Sequence, residues 1–334
     1  MYANRKQLYL QLEEQRKSKV LCYVTGDRPG LETQIHPEVY DFFVNHFDVI
    51  GSVPKISLYL YTRGGQTLAA WSLVNLMRRF GEKVEVIVPS KAHSAGTLIC
   101  LGADSILMTK QATLGPIDPS VNTPLNPSVP GAAPGATVPV SVEAIKGFIE
   151  LVKEEVKIDD SDGLARVVVA LVEKVHPLVL GQVYRSRSQI QMLARRLVSR
   201  QVKSKEKVDK IVGFLCSESG SHDYTIDRSE AKSGLGLRVE KPDDKLYALV
   251  KAIYDDIRAE MELGAKFDPN SYLGAREQGN YAFKRAILES VAGGSDFFVS
   301  EGTLTKRQIT VPPGVQQIML QDQREFEGWK HENA

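Results

Sequence analysis

From Lys55 onward the chain alternates between two hydrophobic periods. KISLYLYT (55–62), KVEVIVPS (83–90) and SILMT (105–109) are short apolar runs of strand length. Between them lie TLAAWSLVNLMRRF (67–80), apolar at helical spacing, and the segment TLICLGA (97–103). Strands alternating with helices in this way predict a parallel sheet covered by helices. Upstream, residues 4–17 read as a surface helix and KVLCYVTG (19–26) as a strand ending in a glycine turn. DRPGLETQIHPEVYDFFVNHF then gives a loop and an amphipathic helix with Val39, Phe42, Phe43 and Phe47 on one face.

Past residue 114 the pattern changes. Gly115 to Val140 is so rich in Pro, Gly, Asn and Ser that neither helix nor strand is expected to persist, and a loop of this length is usually functional. Residues 141–215 read as almost wholly helical. Their basic block RSRSQIQMLARRLVSRQVKSKEK carries Ile190, Leu193 and Leu197 at helical spacing, which predicts a packed helix with a solvated charged face. After SHDYTI (221–226) a short helix is expected in DRSEAKSGLGL and a long amphipathic one in KLYALVKAIYDDIRAEMEL. YAFKRAILESVAGGSDFFVSEGTLTKRQITV should begin helical and finish as strands with a hairpin, and QDQREFEGWKHENA should be a polar, frayed tail. The organisation expected is an N-terminal helix (1–18), a catalytic domain (19–240) containing loop 115–140 and the helices of 141–215, and a C-terminal oligomerisation region (241–334).

Charge and cysteine content narrow the function classes. The formal net charge is +1, from 42 basic and 41 acidic residues, and no aromatics interleave with the basic block, so no nucleic-acid partner is expected. Cys22, Cys100 and Cys216 sit apart in apolar runs, which reads as buried thiols in a reducing compartment. The charged start argues against a secretory signal and no apolar run reaches membrane-span length, so a cytoplasmic protein is expected. RGGQT lacks the lysine of a P-loop and the third glycine of a dinucleotide turn; no cofactor or metal is expected.

The candidate chemistry lies at two strand-to-helix turns, where open parallel sheets place their ligands. Arg63-Gly64-Gly65-Gln66 follows one strand. KAHSAG follows the next and puts Ser94 at the mouth of a helix, with Ala95 and Gly96 too small to cover its hydroxyl. A serine there is by default a helix cap. If both turns face one crevice, the amides of Gly65, Gln66 or Ala95 can instead stabilise an oxyanion formed when Ser94 attacks a carbonyl. His93 is expected to point away from Ser94 as a polar support. His36, His46, His176 and His331 carry no neighbouring motif and are assigned no chemistry.

The run of strand, RGGQ, helix, strand, AHSAG, helix, GAD, strand and ATLGPIDP resembles the core of the Clp protease and signal peptide peptidase A superfamily on the crotonase-like fold. TGDRPGLETQI, SAGT, LGPIDP and SHDYTI together resemble the serine dehydrogenase proteinase family. The resemblance covers roughly residues 18–240. It implies an α/β crotonase/Clp protease-like parallel-sheet core with covering helices and a helical insert, and a serine peptidase with a Ser, Asp, His triad. Residue by residue it makes Ser94 the nucleophile, Asp118 the orienting acid and His222 the general base. Asp223 competes for the acid's role, because Clp proteases place theirs shortly before the equivalent of the Glu230-Ala231 helix. The histidine that Clp proteases carry after the serine helix is replaced here by GPID, so a Clp-ordered triad is not expected. Some relatives use Ser and Lys dyads, which leaves Lys146, Lys153 or Lys157 as alternative bases. A peptide or protein substrate, a homo-oligomer and no membrane span complete the expectation. A crotonase-type acyl-CoA enzyme and a non-catalytic scaffold are the competing readings.

Overall fold

The computed structural model describes residues 1–117, 120–129, 131, 135–218, 221, 223–311 and 315–332. The chain forms two compact units, one of residues 1–114 with 226–334 and one of 115–225. The units divide the chain at 114/115 and 225/226, and residues 241–334 belong with the N-terminal strands.

The first unit holds an eight-stranded sheet. Its parallel part is β1 (Lys19–Thr25), β2 (Val53–Tyr61), β3 (Gly81–Val88), β5 (Ser105–Met108) and β10 (Val239–Glu240), in the order β10-β5-β3-β2-β1. The last six residues of β2 are all buried, the pattern of a strand covered on both faces. On one face α1 (Tyr2–Arg16) and α9 (Asp244–Met261) pack onto Val20, Cys22, Val24, Tyr59 and Ile87. On the other lie α2 (Val39–Ile50), α3 (Thr67–Phe80) and α4 (Ala95–Gly102), where Phe43 meets Tyr23 edge-on at 5.3 Å and Phe47 stacks on Phe80 at 5.0 Å. A second small sheet joins β4 (Lys91–Ala92), β6 (Thr113–Leu114) and β9 (Ile226–Asp227).

The C-terminal third departs from the expected pattern. β11 (Gln278–Ser290) includes the stretch expected to begin as a helix; it runs antiparallel to β1, whose open edge supplies the backbone partners that decide the matter. The polar tail expected to fray is part of β13 (Val315–Glu332), paired along its length with β12 (Gly294–Val311) and pinned where Trp329 packs on Phe42 at 4.9 Å and Phe298 at 5.9 Å. The apolar stripe of α9, Leu246, Leu249, Val250, Ile253, Ile257 and Met261, is buried in this unit's own core and so is not available as a surface for another copy. In place of a regular helix at DRSEAKSGLGL the backbone forms a π-helical turn over Glu230–Gly234.

The second unit is mainly helical: α5 (Val142–Glu150), α6 (Ser161–Val172), α7 (Pro177–Val198) and α8 (Lys205–Gly213). Ile190, Leu193 and Leu197 of the basic block are buried on α7. Within the proline-rich segment, β7 (Ser120–Val121) pairs with β8 (Val140–Ser141), and Asn126 donates to the carbonyls of Val121 and Val138, giving that segment more order than its composition suggests. No helix among the described residues is long and apolar enough to cross a membrane.

Candidate active site

β2 and β3 end at the same edge of the sheet, and the backbone ties the turns that follow them together. The Thr62 N–H donates to the Lys91 carbonyl at 3.1 Å, and the His93 N–H to the Thr62 carbonyl at 3.1 Å. The Thr62 hydroxyl accepts the Gly64 N–H at 3.0 Å and receives a hydrogen bond from Thr25 at 2.7 Å. The RGGQ turn and the serine turn therefore share one frame.

Within that frame Ser94 has φ 51° and ψ −114°, a positive φ that an L-residue adopts only under constraint. It occupies the N-cap position of α4, yet its side chain makes no cap bond. Gly64 forms the shelf beside it: a Cβ there would lie 2.8 Å from Ser94 Cβ and 3.2 Å from its Oγ, so any larger residue would displace the hydroxyl. The hydroxyl sits over the positive end of α4, favourable for developing negative charge.

The three amides proposed for an oxyanion differ. Gln66 N–H donates to the Ile35 carbonyl at 2.8 Å and is spent on that bridge. Neither the Gly65 nor the Ala95 N–H has an acceptor among the described residues. Gly65 has φ 147°, and a Cβ would lie 2.4 Å from the backbone N and O of Ile35, so only glycine lets these segments approach. His93 is turned away from Ser94, its Nε2 2.8 Å from Thr113 Oγ1, which fits the support role expected of it. Beyond the Ile35–Gly65 bridge, His36, Pro37, Tyr40, Leu68, Ala69 and Leu73 line a mostly apolar cavity of about 360 Å³.

Of the remaining expected residues, Asp118 and His222 lie outside the described residues. Asp223 is exposed in the second unit, its N–H on Ser221 Oγ at 3.2 Å. Lys146, also in that unit, is held by the Ser217 carbonyl and by Glu150, both at 3.3 Å, while Lys153 and Lys157 are exposed. Asp27, Tyr61, Thr62 and Lys91, which no local pattern marks, also meet at these turns. Asp27 follows a strand end and a glycine, a weak signal by itself.

A serine, histidine, aspartate run does occur elsewhere. His46 contacts Ser290 Oγ at 2.7 Å through Nδ1 and Asp296 at 3.0 Å through Nε2, and His331 reaches the other oxygen of Asp296 at 2.9 Å. Ser290 is 1% exposed, its oxygen takes the Gly293 N–H, and it pairs with Leu21 near the start of β1, so its hydroxyl is a buried structural joint and does not line the cavity that His46, Asp296 and His331 border. Burial pushes up the thiols of Cys22 and Cys100, which leaves both unreactive. Among the described residues no group of three or more His, Cys, Asp or Glu is arranged to hold a metal.

Residues 1–133 match the ClpP-like SDH-type serine proteinase family, and this stretch holds both turns. The uncharacterized protein MJ0137 of Methanocaldococcus jannaschii is 29% identical over 213 residues, 63% of each chain, so the match spans under two thirds of that relative. The uncharacterized protein MJ1495 of the same organism is 41% identical over 66 residues, 20% of this chain and 23% of its own. Two structures of the 1510-N membrane-bound stomatin-specific protease also align. A lysine-to-alanine mutant in complex with a substrate peptide has a TM-score of 0.39 at 17% identity, covering 68% of this chain and 78% of its own. A serine-to-alanine mutant has a TM-score of 0.40 at 16% identity, covering 75% and 89%.

Proposed function

We propose that this chain, whose residues 1–133 match the ClpP-like SDH-type serine proteinase family, is a serine peptidase that works through an acyl-enzyme on Ser94. The observation that carries the reading is the strained Ser94 itself: a hydroxyl withdrawn from the cap bond its position offers, beside two amides with no acceptor among the described residues. Backbone strain persists only where the surroundings over-determine it, and it clusters at reactive sites. In this reading Ser94 Oγ attacks the scissile carbonyl, whose oxygen takes the Gly65 and Ala95 N–H groups. His222 accepts the serine proton and returns it to the leaving amine, with Asp118 fixing its tautomer and Asp223 as the other acid. The cavity beyond the Gly65 bridge would receive an apolar side chain of the peptide. Lys146 would have to leave both Glu150 and the Ser217 carbonyl to serve as the alternative base. A homo-oligomer remains the expected state, with contacts sought on the open edge of β13 rather than on α9.

A fluorophosphonate probe should label the wild type once, at Ser94. Ser94→Ala should lose labelling and about 10⁴-fold or more of casein hydrolysis while unfolding normally. Full activity in folded Ser94→Ala would overturn the proposal. His222→Ala should fall nearly as far and Lys146→Ala should be mild; the reverse ranking moves the base to the lysine.

A further inference from the structure

The TGDRPG motif has no place in the chemistry so far, yet its aspartate is one of the few buried carboxylates in the first unit. Asp27 is 5% exposed and lies just past the end of β1. Its Oδ2 accepts two hydrogen bonds, from Lys91 Nζ at 2.8 Å and from the Tyr61 hydroxyl at 2.8 Å. The Lys91 ammonium also lies 5.5 Å from the centre of the Tyr61 ring. Lys91 stands three residues before Ser94, and Tyr61 is the last residue of β2, immediately before the turn that carries Gly65. One carboxylate oxygen thus grips both segments that supply the site.

Resting on the peptidase reading, we infer that Asp27 is a positioning residue which, through Lys91 and Tyr61, holds the Ser94 turn and the Gly65 turn in a fixed relation. Ser94 needs such a hold. Its backbone is strained, and relaxing Lys91–His93 would let the turn unwind and carry the hydroxyl away from the two amides. The backbone bonds between Thr62 and residues 91 and 93 are a neutral ladder that a small shear can break. The Asp27–Lys91 pair adds a charge-assisted bond whose carboxylate is buried while its ammonium is 30% exposed. Burial by itself would push the Asp27 carboxyl up, but the bonds from Lys91 and Tyr61 outweigh it and hold the group below its ordinary range, so it stays ionised in neutral solution. Its other oxygen, Oδ1, is buried without a partner among the described residues, so the attachment of Asp27 rests on Oδ2 alone. Removing either cation or anion should therefore loosen the turn, which then keeps only neutral bonds, to Thr62 and to the Thr113–Leu114 strand.

The test uses the full chain and two readouts, the rate of fluorophosphonate labelling at Ser94 and amide hydrogen exchange by mass spectrometry, both taken well below the melting temperature of every variant. Asp27→Asn and Lys91→Met should each slow labelling by about 10–100-fold, the loss that a misplacement of about 1 Å brings. The double variant should lose no more than either single one, because the two side chains act as a unit. Lys91→Arg keeps the charge and should restore labelling to within about threefold of wild type. In Asp27→Asn the amides of residues 92–96 and 63–66 should exchange about tenfold faster or more, while those of β3 and β5 stay unchanged. A merely structural role would lower the melting temperature and leave labelling of the folded protein within about threefold, and that result overturns the inference. So does multiplicative loss in the double variant. If the wild type does not label at Ser94, the peptidase reading fails, whereas unchanged exchange at residues 92–96 in Asp27→Asn sinks the positioning role whatever the activity.

Discussion

The buried ion network around Arg5 and the turn around Ser94 lie in the same unit and treat their polar groups in opposite ways. The Arg5 side chain is fully buried. It donates from Nε to Glu289 at 2.9 Å and from Nη2 at 2.5 Å, and its remaining nitrogen reaches Asp256 and Glu260. Glu289 also takes the Tyr9 hydroxyl at 2.6 Å and Ser295 at 2.9 Å, so each of its oxygens has two donors. This network ties α1, α9 and β11 into one arrangement with its buried charges matched. At the Ser94 turn the backbone has a positive φ, the hydroxyl makes no cap bond, and the Gly65 and Ala95 amides have no acceptor among the described residues. Polar satisfaction supports stability in one place, and in the proposed reading its absence at the other leaves groups for a substrate.

The contrast breaks most visibly at Arg5. Arg5→Met removes one partner and leaves Glu289, itself fully buried, without its charge mate, which should cost about 3–5 kcal/mol in urea unfolding. Labelling of Ser94 per folded molecule should change by less than about twofold. A cost below about 1 kcal/mol would show that the network is not held together by pairing.

Acid should act on the same network next. Burial would raise the Glu260 carboxyl, but Lys284 and Arg5 outweigh it and bring it from 4.5 to about 2. Because the folded value is depressed, its stabilisation is fully present above the unfolded value of 4.5 and is lost as pH falls from there toward about 2. The loss should reach about 3 kcal/mol at most for this one group. Urea unfolding from about pH 5 to about pH 2 measures it. Glu260→Gln should flatten the dependence, and an equally steep curve in that variant would assign the acid sensitivity to other groups.

The smallest effect sharpens the comparison from the other side. Ser94→Gly relieves a positive φ and should stabilise the fold by about 1 kcal/mol while abolishing labelling. A glycine variant less stable than wild type would show that Ser94 is not strained in its turn.

Much of this was legible in the residues. The apolar runs from Lys55 to Thr109 are local signals, and the parallel strands and α3 follow them directly. Ser94, Gly65 and Ala95 were legible as candidates too, because a serine at a helix mouth and a glycine pair after a strand are both short-range patterns. Gln66 was legible as a candidate donor, but its commitment to Ile35 depends on a segment thirty residues away that only folding brings alongside.

What the sequence by itself determined is therefore the set of elements with a period of their own and the small residues that chemistry requires at two turns. The tertiary structure decided the rest. YAFKRAILES suits helix or strand, and the free edge of β1 makes it β11; the polar tail becomes β13 because β12 offers it a full ladder of backbone partners. Asp27, Lys91 and Tyr61 are ordinary residues in three separate segments, and no local pattern marks them. Their meeting on one carboxylate oxygen arises because parallel strands end at a common edge, so residues far apart in the chain converge there.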